Sequence, residues 1–262
     1  MAKPKNPQAA MSLGGHLKEL RKRFVWSFVF IGLGTIAGWY LFDPVFAALQ
    51  NPIVQAAKDS HVNATVNFST IGGAFDLRLQ ISVFIGVVVS SPLWLYQFWA
   101  FIIPALKRRE RLYTLGFLGS AIPLFLGGCY MAWMALPIFV HALLGLTPAG
   151  SANLINASEY VLFAIRILLL FGLAFVLPVV LVLLNFMGLV TAKGILKGWR
   201  LAVVVSALVA ALATPVSDPT SMFILMIPLL VLYFIAVGIS YVRDRVVRRR
   251  AVLYVPTNES AA

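Results

Sequence analysis

The chain is 262 residues long, 61% hydrophobic and only 11% charged, with a mean hydropathy of +0.91. That much apolar surface excludes an ordinary water-soluble domain and indicates a membrane-embedded one. The formal net charge of +12 does not point to nucleic acid, because the basic residues flank apolar runs, where they meet anionic lipid headgroups.

In chain order, the first element is a basic, amphipathic stretch. Leu13, Leu17, Leu20 and Phe24 recur at helical spacing and make one apolar stripe, with Glu19 well off it. The pattern predicts a helix lying on the inner membrane surface and feeding the first span. Uncharged runs then follow at Phe24–Phe42, Leu79–Leu106, Leu112–Ser158, Ile167–Ala192, Leu201–Ser217 and Pro219–Val242. The third is too long for one helix, and its polar second half (Thr147, Ser151, Asn153, Asn156, Ser158) reads as an external loop. The fifth has 17 residues, short of the roughly 20 that a helix needs to cross a bilayer. The first run is a retained helix rather than a cleaved signal peptide: it is too long for an h-region, and Phe46-Ala47-Ala48 is a poor cleavage site.

Charge fixes the sidedness. Eighteen of the 21 Lys and Arg residues cluster at 3–23, 107–111, 193–200 and 243–250, beside alternate ends of the runs. Only Lys58, Arg78 and Arg166 remain for the other side. The positive-inside rule then gives six spans with both termini in the cytoplasm. The expected organisation is one membrane domain over 1–240, with spans near 24–42, 76–100, 112–136, 160–187, 201–215 and 220–240. A basic cytoplasmic tail follows over 241–262, its end disordered. Pro92, Pro123, Pro178, Pro215 and Pro228 each bend a helix, so the bundle is curved and open rather than a compact coiled one.

Catalytic patterns are missing. His16, His61 and His141 lie in different segments with no carboxylate or paired thiol at ligand spacing, and Cys129 is alone, so neither metal nor disulfide is expected. There is no phosphate loop and no G-x-S-x-G. The reading is of a protein that is not an enzyme and needs no cofactor. What remains are two carboxylates set among cations, Glu19 and Glu110. On charge pattern alone, each merely offsets its neighbours on a solvated face.

The segments His16-Leu17-Lys18-Glu19-Leu20-Arg21-Lys22-Arg23, Ser91 to Leu106, Lys107 to Arg111, Phe171 to Val179 and Thr214 to Pro219 change that weighting. In this order they resemble the TatC family, the polytopic subunit of the twin-arginine protein translocase. The resemblance implies an all-α, six-helix, cup-shaped receptor in the cytoplasmic membrane of a prokaryote. Its ligands would be signal peptides with consecutive arginines on folded cargo. Its partners would be single-span TatA- and TatB-type proteins and other copies of itself, with the proton-motive force as the drive. The resemblance also assigns sites. Glu19 and Glu110 match the family's signal-peptide carboxylates, and Phe101, Leu106 and Arg108 flank them. Pro52 belongs to an external loop, and Asp218 before Pro219 is N-cap chemistry for the last span. Arg166, seven residues after Glu159, is expected to snorkel outward or meet a polar group. Val176 stands where relatives often place a glutamate or glutamine, which puts a polar partner contact in question. Rival classes are a solute transporter, which needs a polar path across the midplane, and a structural membrane scaffold.

Overall fold

The computed structural model describes residues 13–59, 64–68, 70–102, 111–144, 153–213 and 219–253. It is helical throughout, apart from two short strands. The elements are α1 (Leu13–Tyr40), α2 (Phe42–Asp59), β1 (Ala64–Asn67), α3 (Gly73–Val89), α4 (Ser91–Ile102), α5 (Arg111–Leu144), β2 (Asn153–Asn156), α6 (Ala157–Phe186), α7 (Ala192–Lys197), α8 (Trp199–Ala213) and α9 (Pro219–Leu253). Three helices, α5, α6 and α9, are each long and apolar enough to cross a bilayer. Two bent pairs, α1–α2 and α3–α4, bring the count to five if each is one broken span. The shorter α8 is apolar, but its 15 residues rise only about 22 Å.

One expectation is corrected here. No break separates a surface helix from the first span: α1 runs unbroken for 28 residues. Nothing between His16 and Tyr40 forces a break. There is no proline; Gly34 and Gly38 are packed against α3, and Gly32 stands alone in the helix interior. Glu19 therefore stands on the opening turns of the same helix that carries the first uncharged run.

The bends have identifiable causes. At Leu41 the chain turns 77° into α2. Arg78 of α3 donates to the Trp39 carbonyl at 3.3 Å, one of the acceptors left over where α1 ends. Its guanidinium also lies 4.8 Å from the Trp39 ring and 5.0 Å from the Phe42 ring, so it ties both arms of the bend to α3. At Ser90 the chain turns 59° into α4. Pro92 has no N–H for the ladder and suits the first turn of a new helix. The Trp94 indole donates back across the break to the Val87 carbonyl at 2.8 Å.

Close packing holds α1 on α3. Gly34 and Gly38 face Ser82 and Gly86, so the two backbones touch with no side chain between them. Thr35 and Ser82 return their hydroxyls to carbonyls one turn back, so neither hydroxyl is an orphan donor in the seam. Between α5 and α6, Gly128 lies against the Phe171 carbonyl and Gly172, while Gly172 leaves room for the Cys129 and Phe125 side chains. The main core is built from α2, α3, α5, α6, α8 and α9, around Leu49, Ile81, Leu136, Phe171 and Leu225. A second cluster joins α4, α5 and α6 through Leu95, Trp99, Phe125 and Val176.

The two strands pair in parallel, Ala64 opposite Asn153 through Asn67 opposite Asn156. Asn156 then caps α6, accepting from the N–H groups of Ser158 and Glu159. In the turn of α2 that Pro52 interrupts, the Tyr160 hydroxyl donates to the Leu49 carbonyl at 2.9 Å. At the far end of α6, Gly188 takes a positive φ of 75°, which only glycine adopts without cost. The turn beyond it is clamped to α9. Asp244 accepts from the Ala192 N–H at 2.8 Å and from the Asn185 amide at 3.0 Å, while Arg243 donates to the Phe186 carbonyl at 3.0 Å.

Candidate peptide-binding site

The bend at Ser90 lays α4 along the first half of α1, and the site lies between them. Leu20, Phe24, Phe28 and Ile31 from α1 and Trp94, Phe98 and Phe101 from α4 wall a groove of about 280 Å³. Its polar members are Arg23, Ser27 and Gln97. Helical spacing explains the α1 side, since residues 20, 24, 27, 28 and 31 recur every three or four positions.

Glu19 stands one residue before this wall. Arg23, one turn on, donates to Glu19 Oε1 twice, from Nη2 at 2.7 Å and from Nε at 3.2 Å. The order Glu then Arg at i, i+4 is the favourable one on a helix. The remaining Arg23 nitrogen, Nη1, reaches Gln97 Oε1 on α4 at 3.4 Å. Glu19 Oε2 is buried and accepts no hydrogen bond among the described residues. Side-chain exposure is 18% for Glu19 and 24% for Arg23, so this pair is partly desolvated, unlike an open surface pair. The arrangement can hold a planar cation at the carboxylate and an apolar segment beside it.

Phe101 lines the groove as part of α4, one turn beyond Gln97. Leu106, Arg108, Glu110 and Asp218 lie outside the described residues. Pro52, expected in an external loop, is instead buried inside the helix α2, whose apolar residues Leu49, Ile53 and Ala56 pack into the core. Arg166 lies on the exposed face of α6. Val176 is buried at 6% exposure in the cluster with Trp99 and Phe125, so its side chain faces this chain's own interior. Sequence reasoning missed Arg23 and Gln97. The i, i+4 spacing made Arg23 legible as Glu19's partner; an amide inside an apolar run was the only signal for Gln97. Among the described residues, no three His, Cys, Asp or Glu side chains gather as a metal site would require.

Comparison with known proteins agrees with this architecture. The family model described as "Sec-independent protein translocase protein (TatC)" matches residues 15–228. The TatC protein of Xylanimonas cellulosilytica is 42% identical over 240 residues, covering 92% of this chain and 87% of that protein. The Aquifex aeolicus TatC is 30% identical, covering 90% of this chain and 97% of that one. A crystal structure of a twin-arginine translocase receptor, TatC, superposes with a TM-score of 0.73 at 29% identity, covering 87% of this chain and 98% of that one. The chain belongs to the TatC family, a family of membrane-embedded protein-transport components and not of enzymes.

Proposed function

We propose that this chain is the receptor subunit of a twin-arginine protein translocase in the cytoplasmic membrane of a prokaryote. It crosses the membrane six times with both termini in the cytoplasm, α8 being the short fifth span. It binds signal peptides carrying consecutive arginines, and works beside TatA- and TatB-type single-span partners and further copies of itself, driven by the proton-motive force. The observation that carries the reading is the half-paired Glu19 carboxylate at the edge of an apolar groove. Such a peptide has both parts, a guanidinium pair and then an apolar stretch. Planar, bidentate donors suit a carboxylate better than an ammonium does. Glu110 supplies the second carboxylate, with Leu106 and Arg108 beside it. The sidedness rests on the basic clusters, and the names of the relatives support the transport role.

The test is binding of a synthetic twin-arginine peptide to the purified chain in detergent, with a twin-lysine peptide as control. A hydrogen bond to a charged group contributes about 1.5–3 kcal/mol, so Glu19→Ala and Glu110→Ala should each lose roughly tenfold or more in affinity. The double variant should lose less than the product if the arginines share both groups. Parental binding by folded single variants would refute the assignment. It would leave a scaffold, or, if the chain alone moves a small solute, a transporter.

A further inference from the structure

We propose that Arg23 and Gln97 are positioning residues that set how Glu19 meets an arginine. The proposal rests on the peptide-binding reading of Glu19 above. Two nitrogens of Arg23 converge on one carboxylate oxygen, and the third nitrogen is held by Gln97 of α4. The guanidinium is thus a strut between two helices. Arginine–carboxylate pairs are frequently bidentate, one nitrogen to each oxygen. Here Oε1 carries both Arg23 bonds, while Oε2 is shielded and accepts nothing from the described residues. A carboxylate offers about four lone-pair positions, so half of this one is committed to holding it still. An unsatisfied buried oxygen is costly to maintain, and an arriving N–H donor removes that cost. Oε2 is therefore the acceptor that the peptide's guanidinium engages, and the Gln97–Arg23 strut fixes where it stands.

The strut also ties recognition to the groove. Gln97 lies one turn from Phe101 on α4, and Arg23 lies one turn from Glu19 on α1. The spacing of α1 from α4, which sets the groove width, sets the Glu19 geometry as well.

The experiment measures affinity of the full chain in detergent for a twin-arginine peptide with its apolar stretch, whose groove contacts keep binding measurable in weak variants. Arg23→Lys keeps the charge but loses the fork that spans Glu19 and Gln97. Gln97→Leu keeps every charge and removes the anchor. Each is expected to bind about tenfold more weakly, the order of one charge-assisted hydrogen bond. Thermal unfolding at the parent's temperature confirms that both fold. The decisive arm repeats both changes in a Glu19→Gln background, where neither should weaken binding further, because both act through Glu19. A purely structural role would carry its loss into that background. Parental or tighter binding by either single variant, or the same loss persisting with Glu19→Gln, overturns the proposal. Parental binding by Glu19→Gln alone would instead refute the peptide-binding reading beneath it.

Discussion

Gly86→Ala is the smallest change that should disturb both the fold and the site. A methyl built on Gly86 would lie 2.6 Å from Thr35 Oγ1, 2.7 Å from the Thr35 nitrogen and 2.8 Å from the Ile31 carbonyl oxygen. Two of these three neighbours are backbone atoms of α1, so no side chain can swing away, and the helices must part by several tenths of an ångström. Overpacking of this kind costs about 1–3 kcal/mol. The helix-propensity gain of Ala over Gly, about 1 kcal/mol, offsets only part of it. Gly32, on the same α1, has open space where its methyl would go. Gly32→Ala is therefore the control, expected to be neutral or slightly stabilising. Thermal unfolding in detergent reads the stability. Binding of the twin-arginine peptide reads the site, because the Arg23–Gln97 contact at 3.4 Å has no slack for a wider α1–α4 gap. A Gly86→Ala protein as stable as the Gly32→Ala one would show that α1 does not rest on α3 through this seam.

Asp244→Asn should lower stability by about 1–3 kcal/mol, since it weakens the acceptor for the Ala192 N–H and the Asn185 amide. Asp244 lies two residues past the last uncharged run. Burial pushes its carboxyl up, but the bonds from Ala192, Asn185 and Arg243 outweigh that and hold it below the usual range. The ionised clamp thus contributes fully above about pH 4 and is lost as pH falls through the lower folded value, so denaturation midpoints of parent and variant should converge only in acid. Val176→Glu should lower the unfolding temperature, because it puts a carboxylate into the buried cluster of Leu95, Trp99 and Phe125, at a cost above about 2 kcal/mol. Val176→Gln should cost less, as the buried Trp99 N–H has no acceptor among the described residues. Parental stability of Val176→Glu would mean that this position turns outward, toward a partner.

The long apolar helices were legible because hydropathy and charge are local properties; α2, which carries Asp43, Pro52 and Lys58 and past Phe42 belongs to no uncharged run, was not. The bends were half legible. Pro92 marked a break, but its direction depends on the Trp94 bond to Val87 and on the glycine seam, which involve residues on different helices. The stripe through Leu20 and Phe24 suggested a helix lying on the membrane. In the structure the same spacing continues through Ser27, Phe28 and Ile31 as a wall for α4, which periodicity alone cannot distinguish from a lipid-facing stripe. The β1–β2 pair was invisible: its strands are four residues each and 89 positions apart, and nothing in their composition pairs them. For the proposed site, the motif singled out Glu19, Arg23 was readable one turn away, and Gln97 was not, because its contact spans 74 positions.

Placing one carboxylate on a braced helix has an energetic consequence. A glutamate free to turn loses up to about 1.5–2 kcal/mol of rotamer entropy when a ligand fixes it. Most of that loss is incurred during folding if Arg23 and Gln97 already hold the group. About 1.4 kcal/mol is a factor of ten in affinity, so the strut matters as much as one further hydrogen bond. The setting strengthens the effect. Glu19 is mostly covered and lies at the edge of an apolar groove, where charges are screened less than in open water. On the proposed peptide-binding reading, selectivity for arginine needs no additional acceptor on α1: a fixed carboxylate, approached beside an apolar wall, favours the flat and weakly hydrated guanidinium over an ammonium that must shed more of its water.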